Sequence, residues 1–140
     1  MGKILCATRG GEASYRSQDA AIALAKERGD ELVFLYVVDL RFLDKTSAPI
    51  VVDVEKEMGK MGRFLLAMAQ ERAATQGVEA GMICREGKVH EELVTAAREE
   101  GATLIVLGKP SGEESAFELA GLQKFAASLE EDSGVEVHIA

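Results

Sequence analysis

Two segments of this chain each follow an apolar run and carry residue types suited to approaching an anion. The first is "TRGGE", Thr8 to Glu12, at the end of "KILCAT". The second is "GKPSGEESAFELAGLQ", Gly108 to Gln123, which takes over where "TLIVLG" stops. Glycine just past a buried strand lets backbone N–H groups close on phosphate oxygens, and a helix N-terminus behind it adds its dipole. Glu113, Glu114 and Glu118 stand in the second segment, and carboxylates there oppose a phosphate. The same stretch contains "SAFE", Ser115 to Glu118, a capping box in which the serine caps a helix and the glutamate reaches back to the cap. On that reading the last helix begins near Ala116, Gly121 lies in its path, and the loop satisfies its own donors.

Motifs that name a reaction are missing. The sequence has no GxxxxGK[ST], no GxGxxG after a strand and no GxSxG. His90 and His138 lie far apart, with no cysteine or carboxylate at metal-ligand spacing, and both read as surface residues. The glutamate pairs at 91–92, 99–100 and 113–114 are adjacent residues that point apart on a helix, so they read as solvated faces. A phosphate-accepting receiver domain needs carboxylates at the ends of its first and third strands to hold Mg²⁺. Here those ends carry Thr8-Arg9 and Cys84-Arg85, and arginine does not ligate the metal.

The elements that must position these loops alternate along the chain. Lys3 to Thr8 reads as a buried strand. Glu12 to Gly29 is a helix with Ala21, Leu24, Ala25 and Arg28 at helical spacing and Gly29 as its stop. Glu31 to Asp39 is a second strand, rich in β-branched and aromatic residues, and Arg41 to Pro49 a loop. Asp53 to Gln76 is a long helix whose stripe of Met58, Met61, Leu65, Met68 and Ala69 is expected in the core. Val78 to Cys84 is a third strand. Val89 to Gly101 is a helix facing inward with Val89, Leu93, Ala96 and Ala97. Ala102 to Gly108 is a fourth strand, the last helix lies within Ser115 to Glu131, and Val135 to Ala140 is a fifth strand. Strands alternating with helices favour one α/β domain over residues 1–140, a parallel sheet covered on both faces. Ligands bind such sheets outside the carboxyl ends of the strands, where the strand order reverses. If the first strand is that turning point and the fourth its neighbour, both glycine-bearing loops meet there.

Composition sets the partners. The net charge is −8. Residues 1–85 hold twelve acids and twelve bases, while residues 86–140 hold twelve acids and four bases. A field of that sign disfavours nucleic acid and anionic membrane. The longest apolar run, Leu32 to Val38, is too short to span a bilayer, and the N-terminal apolar stretch is too brief for a secretory signal. Cys6 and Cys84 lie in strand-like runs and are expected to be small buried residues. A cytoplasmic protein is the expectation.

With these residues in view, the order "KILCATRGGEAS…AIALAKERGDELVFLYVVD" resembles the opening of universal stress protein domains. "REGKVHEELVTAAREEGATLIVLG" resembles the family's third helix and fourth strand still more closely. The similarity covers nearly the whole chain and is weakest from Arg41 to Glu57. It implies a three-layer α/β/α sandwich of the adenine nucleotide α-hydrolase-like type, with a five-stranded parallel sheet in order 3-2-1-4-5. It also implies a homodimer through the last strand, where Val135, Val137 and Ile139 alternate with Glu136 and His138.

Members that bind ATP carry G-x2-G-x9-G-[ST] after the fourth strand. Gly108 matches the first glycine and Gly121 the last, with their separation of 13 preserved. Ser111 occupies the second glycine position, Gly112 comes one place late, and Leu122 stands where the hydroxyl belongs. Near the first strand, beside Thr8, the family's aspartate is Arg9, and Val37 matches a position whose backbone meets adenine. Each lost hydrogen bond to a charged oxygen is worth roughly 1.5–3 kcal/mol, so the departures remove several tenfold factors of affinity. The expectation is a non-enzymatic stress-response domain with no cofactor, acting through protein partners. The alternative keeps ATP, AMP or another small anion in an altered loop, with Arg9 and Lys109 supplying charge. A Mg²⁺-dependent ATPase finds no general base in the sequence.

Overall fold

The computed structural model describes residues 2–8, 12–38, 48–109 and 115–140, and within them the side chains of all but 12–13, 48–55 and 115–118. Apolar runs become the strands: β1 (Lys3–Ala7), β2 (Glu31–Val38), β3 (Ala80–Glu86), β4 (Leu104–Leu107) and β5 (Glu136–Ile139). They form one parallel sheet in the order β3-β2-β1-β4-β5. Parallel strands need crossovers, supplied by α1 (Glu12–Arg28), α2 (Ala48–Ala74), α3 (Val89–Glu100) and α4 (Ser115–Ser133). The left-handed residues that end α1 and α3 are Gly29, at φ 69°, and Gly101, at φ 65°. The Gly101 N–H is donated back to the carbonyls of Ala97 and Arg98, which satisfies groups a helix end leaves open.

Strand alternation divides the core in two. Ile4, Cys6, Leu32, Phe34, Leu104 and Val106 pack with Ala21, Ile22 and Ala25 of α1 and with Leu66, Ala69 and Ala73 of α2. Leu5, Val33, Leu35, Ile105 and Leu107 face the other way, onto Leu93, Ala96 and Ala97 of α3 and Ala126 and Leu129 of α4. Both faces of the inner strands are therefore covered, which is why those strands read as continuous apolar runs.

Several sequence expectations shift. The second long helix starts at Ala48, not Asp53, with Pro49 inside its first turn, where a missing N–H costs nothing. Its inward ridge is Gly62, Leu66, Ala69 and Ala73, so of the expected stripe Ala69 is in the core and the methionines are not. Met61 and Met68 are 57% and 42% exposed, and Phe64 beside them 64%. The reason is closeness: a Cβ on Gly62 would lie 2.6 Å from Tyr36 Cδ1. Small residues let the helix approach the sheet, and the bulky ones are left on its flank. Strand β3 begins at Ala80 and runs on to Glu86, because Arg85 and Glu86 pair with Val37 and Val38. Its side chains are half-buried or exposed throughout, so Cys84 is half-buried where full burial was expected.

Candidate functional site

The sheet order reverses between β1 and β4, and a cleft of about 430 Å³ opens at their carboxyl ends. Strand β1 gives it Ala7 and the following Thr8; β2 gives Leu35, Tyr36 and Val37; β4 gives Leu107 and the following Gly108. Val89 and Leu93 of α3 face it, as do Leu122 and Phe125 of α4, and Met58 of α2 closes one side. None of these residues carries a charge. A hollow of about 600 Å³, with Lys56, Arg63 and Arg85 around it, lies at the ends of β2 and β3, away from the reversal point. The apolar cleft is the one where this topology places a ligand.

Its buried polar side chain, Thr8, is engaged within the fold. Thr8 is buried, its N–H donates to the Leu35 carbonyl at 2.9 Å, and its hydroxyl accepts from Gln18 Nε2 at 2.9 Å. Gly108 sits against α1: a Cβ there would lie 3.1 Å from Ser17 Oγ, whose hydroxyl donates to the Ser14 carbonyl. Close packing is thus a structural reason for glycine at 108, independent of any phosphate. Lys109 is exposed and does not line the cleft; its backbone N–H donates to the Ala140 carbonyl at 2.8 Å, and the Ala140 N–H to Leu107. That donor closes the β4–β5 ladder instead of facing a ligand.

Of the other sequence candidates, Val37 and Leu122 line the cleft, while Gly121 lies exposed on α4 with nothing within 4 Å of a Cβ. Arg9, Ser111 and Gly112 fall outside the described residues, as do Glu113 and Glu114. The helix that the capping box was expected to open near Ala116 is in place from Ser115 onward. Sequence reasoning missed Leu35, Tyr36, Met58, Leu93, Leu107 and Phe125 as cleft residues. Those on strands were findable once the sheet order was assumed, since they lie in the carboxyl-terminal halves of β2 and β4; those on helices carried no signal beyond apolarity.

Around the cleft, α3 is tied to both neighbours. Arg85 at the end of β3 donates Nε to Glu92 at 2.7 Å and Nη1 to Glu99 at 2.8 Å. These two bonds, Glu92's first, hold the guanidinium above its ordinary pKa. His90 Nε2 lies 2.7 Å from Asp132 Oδ2 at the end of α4, and its ring meets Phe125 edge-on at 5.5 Å. His138 is exposed on β5.

With this geometry in place, the comparisons decide the family. The model of the universal stress protein family matches residues 1–128. The chain belongs to the universal stress protein family. Universal stress protein YxiE of Bacillus subtilis (strain 168) is 34% identical over 116 residues, 77% of this chain and 78% of that protein. A universal stress family protein from Burkholderia pseudomallei has 31% identity and a TM-score of 0.73, covering 99% of this chain and 95% of its own. A universal stress protein in complex with cAMP shares the fold at 23% identity and a TM-score of 0.72, over 99% of this chain and 96% of that one. In this universal stress protein no helix among the described residues is long and apolar enough to cross a membrane.

Proposed function

We propose that this chain is a non-enzymatic universal stress protein domain that does not bind ATP in the family's standard way and acts on protein partners as a cytoplasmic homodimer. The observation that carries the reading is Leu122 in the cleft wall, where ATP-binding relatives place a hydroxyl. The uncharged lining supports it, since a triphosphate there has no described cation to meet its charge. The Lys109 N–H, committed to Ala140, supports it again. Purification without added nucleotide tests the reading. Protein free of bound adenylate, and silent to ATP and AMP in calorimetry, is the expected result. Stoichiometric ATP or AMP in the purified protein overturns it.

The dimer surface in this reading is β5, an edge strand of the sheet. Val135, Val137 and Ile139 pack inward against the α3–α4 side of the core, so the strand offers its backbone edge rather than an apolar face. A sheet edge invites pairing, and an isologous contact that displaces the α4 side chains bonded to this one supplies its cover. A second reading, binding of a nucleoside monophosphate, is favoured by the relative in complex with cAMP. In that case the positive charge falls to Arg9, since Lys109 does not line the cleft, and titration with AMP and cAMP separates it from the first.

A further inference from the structure

The cleft is a wedge between two apolar helix ridges. Val89 and Leu93, one turn apart on α3, face Leu122 and Phe125, one turn apart on α4, above a floor of Leu35 and Leu107. We propose that this wedge binds an uncharged, largely apolar aromatic small molecule. The inference rests on the reading that the loop no longer holds a nucleotide phosphate.

Four observations carry it. A charged ligand group would lose its water with no described side chain of opposite charge to meet it, whereas an apolar ring loses nothing there. About 430 Å³ falls within the usual range of small-molecule sites. The Phe125 ring is held by its edge contact with His90, so one wall is already set for stacking against a flat ligand. Polar side chains on the described wall are few, the Thr8 hydroxyl and the Tyr36 phenol, and Thr8 is already engaged with Gln18, which suits a ligand of low polarity. Leu122 is the decisive replacement, turning a phosphate donor position into apolar wall.

The experiment is a titration of the full chain with N-phenyl-1-naphthylamine, a neutral aromatic amine, followed by fluorescence and by thermal unfolding. Saturable binding of one probe per chain is expected, with a Tm that rises with probe concentration, because a ligand of the folded state stabilises it. Leu122→Asp is expected to weaken binding at least about tenfold. Val89→Asp should do the same while keeping the fold, since an acid in the first turn of α3 favours that helix. Fluorescence without a rise in Tm, or variants that bind like the original, overturns the proposal. Mg-ATP is titrated in parallel. If neither compound binds, the proposal fails and the reading of a non-ATP domain stands; if ATP binds and the probe does not, both fail.

Discussion

Glu130 Oε1 accepts the Val137 N–H at 2.8 Å, so a side chain of α4 caps the edge of the last strand. Backbone groups of a strand alternate sides. Ala140 pairs with β4, so Val137, of opposite parity, points its N–H to the open edge. Ser133 Oγ accepts the Val135 N–H at 3.1 Å on the same border. A second chain adding to β5 must displace Glu130. Glu130→Ala is therefore expected to tighten the proposed dimer by about tenfold, the worth of one net hydrogen bond no longer broken on pairing. Sedimentation equilibrium reads the change; a looser dimer in the variant would place Glu130 within the contact itself.

Helix α2 depends on Gly62. A Cβ there would lie 2.6 Å from Tyr36 Cδ1 and 3.2 Å from Cys84 Sγ. Gly62→Ala gains helix propensity but forces the ring or the helix to move, at a cost of about 1–3 kcal/mol. Chemical denaturation should show net destabilisation, and an unchanged midpoint would mean that α2 does not sit this close.

Much of the fold was legible, for identifiable reasons. Strands β1, β2 and β4 are buried on both faces, so their apolar runs stand out, and Gly29, Gly77 and Gly101 mark where helices stop. The inner face of α2 was not legible. Met58, Met61, Leu65 and Met68 at helical spacing outweigh a ridge in which Leu66 is the one large side chain beside Gly62, Ala69 and Ala73, and the closeness of Tyr36 reverses the choice. The end of β3 was hidden because Arg85 and Glu86 are polar yet still pair with β2. At the site, Val37, Gly108 and Leu122 followed from the family resemblance, and Thr8 from the loop at the sheet-order reversal. Val89 was expected only as a core residue and Phe125 not at all, since helices crossing the sheet bring them in.

Asp19 supplies a pH dependence. The Arg72 guanidinium hydrogen-bonded to it, at 2.7 Å from Nε, holds its carboxyl below the usual aspartate range, against a weaker opposing push from burial. A depressed carboxylate pKa adds stability above the unfolded value of about 3.9, and that stability is lost as pH falls through the lower folded value. The pair is largely exposed, so Asp19→Asn should lower Tm at neutral pH by no more than about 3 °C. The gap from the original protein should close in strong acid. A gap that widens there would contradict the assignment.

The two thiols should differ. Cys6 is fully buried and its pKa is pushed up to about 12. Cys84 is half-buried, raised by desolvation with the Arg63 charge opposing. Thiolates are the reactive form, so an aromatic disulfide reagent should label Cys84 slowly in the folded protein and Cys6 only on unfolding. Mass spectrometry after partial labelling tells them apart; modification of Cys6 first would contradict the packing of β1.

On the proposed reading, the family's ligand position has kept its place in the fold and lost its phosphate chemistry. Isothermal calorimetry of nucleotide-free protein with Mg-ATP tests it most directly. No saturable heat is predicted up to about 1 mM ATP, consistent with a loss of several tenfold factors from micromolar affinity. Stoichiometric micromolar binding would contradict the account.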